Sequence, residues 1–210
     1  MTDLVQIRGY NNETCIKTGN ARGCSSGGTF PADAFVTTWK TDNTGSIESG
    51  SNQIKLPLDS NGTYDFTVDW GDGSQDTRTA YDQAEATHTY NSPGTFDVVI
   101  EGEIDGFGFF TFGEDSSKIL DVKQWGTVKL HNRGRQFYDC DNLTGFSATD
   151  EPDLSAVTNI RRMFRFASSF TGGVDGWDVS SVTDIGSEPF DFDTGTVMND
   201  ADLPVWGTCP

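Results

Sequence analysis

The stretch from Tyr64 to Ile100 constrains the fold most. Tyr64, Phe66, Val68 and Trp70 alternate with Asp65, Thr67 and Asp69. A period of two places one set of side chains on one face, which predicts a half-buried strand. Gly71-Asp72-Gly73 follows, and glycine with an Asp side chain able to bond nearby backbone predicts a tight turn. After Pro93-Gly94, Phe96, Val98 and Ile100 again share one face. Ile54, Leu56 and Leu58 alternate with Lys55 and Pro57, predicting a further strand, and Asn61-Gly62 reads as a hairpin turn into Tyr64. Strands with a single apolar face need a second sheet to cover them, so the pattern predicts a small β-sandwich.

The run Trp70-Gly71-Asp72-Gly73-Ser74, His88-Thr89-Tyr90 and Pro93-Gly94-Thr95-Phe96-Asp97-Val98 resembles a PKD-type, immunoglobulin-like domain. Phe35 to Asn43 and Gln124-Trp125-Gly126 are similar to surface proteins of the BspA type, which carry a repeat of about 26 residues. The resemblance spans Phe35 to Phe190. It implies a surface or adhesion role without catalysis, and a leucine-rich-like repeat of strand, turn and short helical segment.

The chain shows such a repetition. Val157-Thr158-Asn159-Ile160 recurs as Val182-Thr183-Asp184-Ile185, 25 residues later, and Phe137 to Leu143 recurs as Phe164 to Phe170, 27 residues later. Asp153-Leu154-Ser155 matches Asp178-Val179-Ser180. Units of this size bury their apolar faces only by stacking. The expectation is that Phe137, Val157, Ile160, Phe164, Val182, Ile185 and Phe190 are largely buried, with Met163-Phe164 on the helical turn. The sandwich would cap one end of the stack, and Leu203, Val205 and Trp206 the other. The aromatic run Phe107, Phe109, Phe110 and Phe112 reads as a strand entering the contact between the two.

The organisation read from the sequence is therefore mainly β. An N-terminal attachment arm occupies 1–34, a PKD-like sandwich 35–112, and a BspA-type repeat domain with its C-terminal cap 113–210. The arm is polar and Gly/Asn/Ser-rich, has at most a short strand at Val5 and Ile7, and on this reading stays extended. Cys15 and Cys24 bracket a loop in it, either as two thiols or as a disulfide.

Fourteen basic and 32 acidic side chains give a net charge of −18. Such a surface repels nucleic acid and anionic membranes, and no apolar run is long enough to span a bilayer. The start, Met1 to Arg8, lacks a basic segment followed by an apolar one, so no secretory signal is expected there.

Candidate sites are sparse. Asp69, Asp72 and Asp76 offer hard oxygens for calcium, but their spacing does not match the twelve-residue calcium loop. No metal or other cofactor is expected. His88 and His131 are the only histidines, and His88 lies in the His-Thr-Tyr motif, where packing suffices. No catalytic residue is assigned. Cys140 aligns with Ala167 as a small buried residue, and Cys209 is left unpaired, paired with a neighbour, or joined to Cys140. Arg133, Arg135, Arg161, Arg162 and Arg165 cluster in the repeats, whereas residues 166–210 carry eight acids and no Lys or Arg. The cluster reads as a solvated face, a subunit contact with an acidic tail, or a glycan-binding patch. The functional expectation is a non-enzymatic virion surface protein, a bacteriophage head decoration, head fibre or small tail adhesin. It would be held by other virion proteins through residues 1–34, form a homo-oligomer and meet a host glycan or protein. The alternatives, in order, are a bacterial cell-surface adhesin fragment and a carbohydrate-active enzyme.

Overall fold

The alternation of apolar and polar residues around Tyr64 and Val98 is realised as two long adjacent strands. They lie in a computed structural model that describes residues 6–8, 14–18, 21–23, 30–43, 45, 48–109, 115–186, 192–193, 195–198 and 203–204, those before residue 30 by backbone alone. Eleven strands are described: β1 (Gln6–Arg8), β2 (Thr14–Thr18), β3 (Ala21–Gly23), β4 (Phe35–Lys40), β5 (Gln53–Lys55), β6 (Leu58–Asp69), β7 (Gln75–Arg78), β8 (Thr87–Thr89), β9 (Thr95–Phe107), β10 (Ile119–Gln124) and β11 (Lys129–Leu130). The fold is mainly β and sandwich-like, with antiparallel sheets. Met1–Ala32 and Asp33–Pro210 are separate compact units.

In the first unit, β1, β2 and β3 form an antiparallel meander. Three strands thus stand where the sequence suggested an extended arm with one. Thr18 pairs with Ala21 at the end of the β2–β3 register.

In the second unit a six-stranded sheet runs β10-β4-β9-β6-β7, and β11 joins β9 in parallel. Tyr64, Phe66 and Val68 of β6 and Val98, Ile100 and Ile104 of β9 are buried together with Phe35 and Trp39 of β4. The two-stranded sheet β5-β8 adds Ile54, and the flanking Leu56, Ala86 and Tyr90 join the same buried cluster.

The predicted hairpin at Asn61-Gly62 is not present. Both residues lie inside β6, where the pairing with β9 shifts between Leu58 and Thr63. The pair marks an irregularity in one long strand, because β9 offers a continuous partner on both sides of it. A Cβ at Gly62 would collide with the Tyr64 hydroxyl and the Asp105 carbonyl. The Tyr64 hydroxyl donates to the Asp59 carbonyl at 2.8 Å across this segment. Gly62→Ala is expected to cost roughly 1–3 kcal/mol by overpacking, measurable by urea denaturation. An unchanged midpoint would show that the strand shifts freely there.

Beyond the sandwich the chain stacks in units. β11 continues the sheet from β9, Lys129 bridges in parallel to Asp153, and Asn159 bridges in parallel to Asp184. Each unit turns alike: Val128 N–H donates to Trp125, Val157 to Leu154 and Val182 to Val179. The core of the stack is a column of phenylalanines. Phe109, Phe137, Phe164 and Phe192 recur at intervals of 28, 27 and 28 residues and are all buried. Their backbones are laddered: Phe109 N–H donates to the Gln136 carbonyl at 2.9 Å, Phe137 to Met163 at 2.8 Å and Phe164 to Phe192 at 2.9 Å. Phe137 and Phe164 stack at 5.6 Å, and Phe192 meets Phe164 edge-on at 5.3 Å. Phe109 also packs on Trp39 and Phe107 of the sandwich, so the sandwich and stack share one apolar cluster.

Phe137, Val157, Ile160 and Phe164 are buried as expected, while Val182 and Ile185 are partly buried. Phe190, Val205, Trp206, Phe110 and Phe112 lie outside the described residues. Leu203 packs against the core. The expected helical segment at Met163-Phe164 is instead a run of turns from 161 to 166. Arg162 and Phe166 sit at φ 60° and 67°, and left-handed residues interrupt a right-handed helix. Their counterparts 27 residues earlier, Arg135 and Asp139, are also left-handed at 64° and 61°, so the break is part of the repeat.

A buried ion pair ties a loop to this framework. Lys118 and Asp115 side chains are fully enclosed, 3.4 Å apart. Lys118 Nζ donates to the carbonyls of Ser49, Gly50 and Gln53, each at 3.0 Å, and to Ser49 Oγ. Asp115 accepts from the backbone of Ser49 and Lys55. Surrounding hydrogen bonds of this kind are what allow a buried charge pair to persist.

Candidate functional site

The Trp70 loop holds the histidine most open to a catalytic reading. Gly71 and Gly73 take φ of 79° and 90°, and Asp69 Oδ1 and Asp72 Oδ1 accept from the N–H two residues on, at 2.8 and 2.9 Å. This is the tight turn that the sequence predicts. His88 from β8 stacks on the Trp70 ring at 4.8 Å and meets Tyr90 edge-on at 4.5 Å, while the Tyr90 hydroxyl donates to the Trp70 carbonyl. His88 Nε2 lies 2.9 Å from Asp72 Oδ2 and 3.4 Å from Ser74 Oγ.

An aspartate, a histidine and a serine therefore meet, but not as a nucleophilic triad. A triad needs the carboxylate on one ring nitrogen and the hydroxyl on the other. Here both approach Nε2, and Ser74 Oγ donates to Asp72 Oδ1 at 2.5 Å. Burial works to raise the Asp72 carboxyl, but hydrogen bonds from Ser74 and His88 outweigh it and hold it below the usual range. The arrangement fixes the loop against the aromatic core. The three calcium candidates each have a protein partner: Asp69 and Asp72 cap the turn, and Asp76 accepts from Trp70 Nε1 at 2.8 Å. Among the described residues no cluster of three metal-ligating side chains is found.

His131 is buried at the sandwich end of the stack, and its Nδ1 accepts from the Arg133 N–H at 3.4 Å. Burial lowers its pKa to about 4, against the opposing pull of Asp59 and of the neighbouring Gly108 backbone. It remains neutral at neutral pH.

The arginine cluster divides. Arg133 reaches back to Asp59 of β6 at 2.9 Å. Arg135 lies over the Tyr138 ring at 5.5 Å and Arg165 over the Phe166 ring at 4.9 Å, and those two rings meet edge-on at 5.5 Å. Arg135 and Arg165 thus flank one aromatic pair, in which Phe166 is 41% exposed. Arg161 and Arg162 are half-buried, and the Arg161 carbonyl accepts the Arg135 N–H at 2.8 Å. The surroundings are mixed in sign. Burial, with the nearby carboxylates of Asp141 and Glu48, raises the Asp139 carboxyl.

Two concavities accompany these features. A cleft of about 500 Å³ lies in the sandwich beside Tyr81 and Lys55. A smaller one of about 200 Å³ lies between units of the stack, floored by Trp125 and Trp177 and rimmed by Asp150, Glu151 and Asp175. Neither stood out in the sequence, because each is assembled from segments distant in the chain without a shared motif. Cys140 is buried, as expected, with its Sγ 3.9 Å from the Tyr138 carbonyl. The side chain of Cys15, Cys24 and Cys209 lie outside the described residues, and so does any pairing among them.

Among the described residues no helix is long and apolar enough to cross a membrane. Residues 135–208 match the family described as "Mycoplasma protein of unknown function, DUF285". No curated protein and no solved structure matches the chain. The family match covers the stacked units, and at that coarse level it fits a surface repeat protein of the BspA type.

Proposed function

We propose that this chain is a non-enzymatic surface protein of a virion, a head decoration, head fibre or small tail adhesin that presents a PKD-like sandwich and BspA-type repeats to a host surface. The observation that supports surface display, the part of the reading common to virion and cell, is the family match of residues 135–208. Support comes from the sandwich and stack sharing one core, a rigid mount for surface loops. The histidines support it too: His88 holds a loop and His131 is buried and neutral. In this reading residues 1–34, which include the compact unit Met1–Ala32, attach the protein to neighbouring virion proteins, copies associate as a homo-oligomer, and nucleic acid and membrane are not partners. A bacterial cell-surface adhesin is the second reading, since the same repeat match supports it.

Antibodies raised against the second unit and applied to purified particles and to intact cells separate the two. Labelling of particles is expected, and labelling of cells alone would replace the virion by the cell surface. Deletion of residues 1–32 tests the attachment. The remaining unit holds the large apolar cluster, so the truncated protein is expected to stay folded and soluble yet be absent from particles. Normal incorporation would show that the anchor lies elsewhere.

A further inference from the structure

The cleft of about 500 Å³ in the sandwich falls within the range of small-molecule sites. Its floor is apolar, with Leu56 and Leu58 buried. Its walls are polar: Lys55, Ser60, Asp82, Gln83 and Thr87. At the rim stands Tyr81, 44% exposed.

Tyr81 is held in place rather than merely left outside. The Gln83 side chain turns back so that its Oε1 accepts the N–H groups of Thr79 and Ala80, at 2.7 and 2.9 Å. These are the two residues before Tyr81, so the turn that carries the ring is fixed. The Gln83 carbonyl then accepts the Ala86 N–H at 2.8 Å, and the Ala86 carbonyl accepts Leu56 N–H at 2.9 Å. A chain of hydrogen bonds thus ties the rim to the floor. Gln83 Nε2 has no protein acceptor among the described residues, which leaves a donor at the cleft. A polar group fixed before a ligand arrives lowers the ordering cost of binding.

The charge of the lining selects among ligand classes. The protein carries −18 overall, yet among the described side chains the cleft contributes one cation, Lys55, and one anion, Asp82. A site for an inorganic anion or an organic cation would show an excess of one sign, and this one is balanced. What it presents is an aromatic face, an apolar floor, and donors and acceptors in a mixed ring. That set is complementary to a neutral saccharide. The C–H face of a sugar ring packs on an aromatic side chain, and its hydroxyls both donate and accept.

We infer that the Tyr81 cleft is a binding site for a neutral hexose or N-acetylhexosamine unit of a surface glycan. The inference rests on the display reading, whose own test is the particle labelling above. Binding by purified protein does not depend on where the protein is displayed, so the two fail separately.

The test is saturation-transfer NMR with calorimetric titration of the full chain against glucose, galactose, mannose, N-acetylglucosamine, N-acetylgalactosamine, lactose and chitobiose. Glucuronic acid and glucosamine serve as charged counterparts. At least one neutral sugar is expected to bind, and more tightly than either charged counterpart. Tyr81→Ala should weaken binding about tenfold and Tyr81→Phe by less than about threefold, because the ring and not the hydroxyl is the platform. Asp82→Asn should weaken it several-fold by removing a charged acceptor. Both positions are exposed, so the fold is expected to persist, and thermal denaturation of each variant checks this. No transfer to any neutral sugar, preference for a charged one, or undiminished binding by Tyr81→Ala would each overturn the inference.

Discussion

Phe164→Ala is expected to destabilise the protein by about 3–5 kcal/mol, the range for emptying the site of a fully buried phenylalanine. Phe164 is completely enclosed and packs against five aromatic rings of the described residues. It stacks on Phe170 at 4.2 Å and on Phe137 at 5.6 Å, meets Phe192 edge-on, and lies about as close to Phe146 and Trp177. Removing it leaves a void among side chains that are themselves fixed by backbone ladders, such as Phe164 N–H to Phe192 and Phe137 N–H to Met163, so the site cannot collapse easily. In a stack each unit is supported only by its neighbours, and this one has few. Phe164→Leu, which refills part of the volume, should cost clearly less. Urea denaturation measures both. A loss below about 1 kcal/mol for the alanine variant would mean that the column does not hold the stack together.

How much of this was legible follows from what each feature depends on. β6 and β9 were readable because each has one buried face, and a period of two survives in the sequence. Asn61-Gly62 misled because turn chemistry is local, whereas β9 pairs with β6 on both sides of that dipeptide and carries the strand through it. Phe137 and Phe164 were readable because they sit in two copies of one motif. Their partners Phe109 and Phe192 occupy the same column but lie beyond the copies, among residues that repeat nothing. The helical segment expected at 161–166 came from the resemblance to a leucine-rich-like repeat, which does not report the sign of φ, and Arg162 and Phe166 adopt values that few bulky residues take. The Lys118–Asp115 pair gave no signal, since acid–base neighbours three apart are common in a charged chain. Its role comes from the carbonyls of Ser49, Gly50 and Gln53, more than sixty residues earlier. The Tyr81 cleft was hidden for the same reason: its lining comes from β5, the start of β6, the segment around Tyr81 and the start of β8, and an exposed tyrosine looks like any other in sequence. The arginine cluster was legible as composition but not as geometry, because only the folded chain shows Arg133 turning to Asp59 while Arg135 and Arg165 flank an aromatic pair.

Acidification from pH 7.5 to 4.5 is expected to cost the protein about 2–3 kcal/mol through His131 alone. Its folded pKa is lowered from 6.5 to about 4, by burial first, with the nearby Arg133 adding to it and Asp59 opposing. A histidine whose folded pKa is depressed binds its proton more readily when unfolded. Its contribution is therefore complete above the unfolded value of 6.5, declines as pH falls below it, and is exhausted below about 4. At about 1.4 kcal/mol per unit, the shift corresponds to about 3 kcal/mol in full, most of it lost by pH 4.5. The carboxyls of Asp72 and Asp153 are held below their usual value, so their stabilisation is lost only at more acidic pH. Asp139, whose carboxyl is raised, acts in the opposite sense: its uptake of a proton in the folded state offsets part of the loss near the acid end of the window. His131→Gln keeps a neutral, hydrogen-bonding side chain of similar reach and removes the titration. The variant should therefore be nearly as stable as the parent at pH 5 even if it is weaker at pH 7.5, and its stability should change little between the two. Denaturation of both proteins across this range measures the slopes. An equal slope in the variant would show that the burial of His131 does not set the acid sensitivity of the fold.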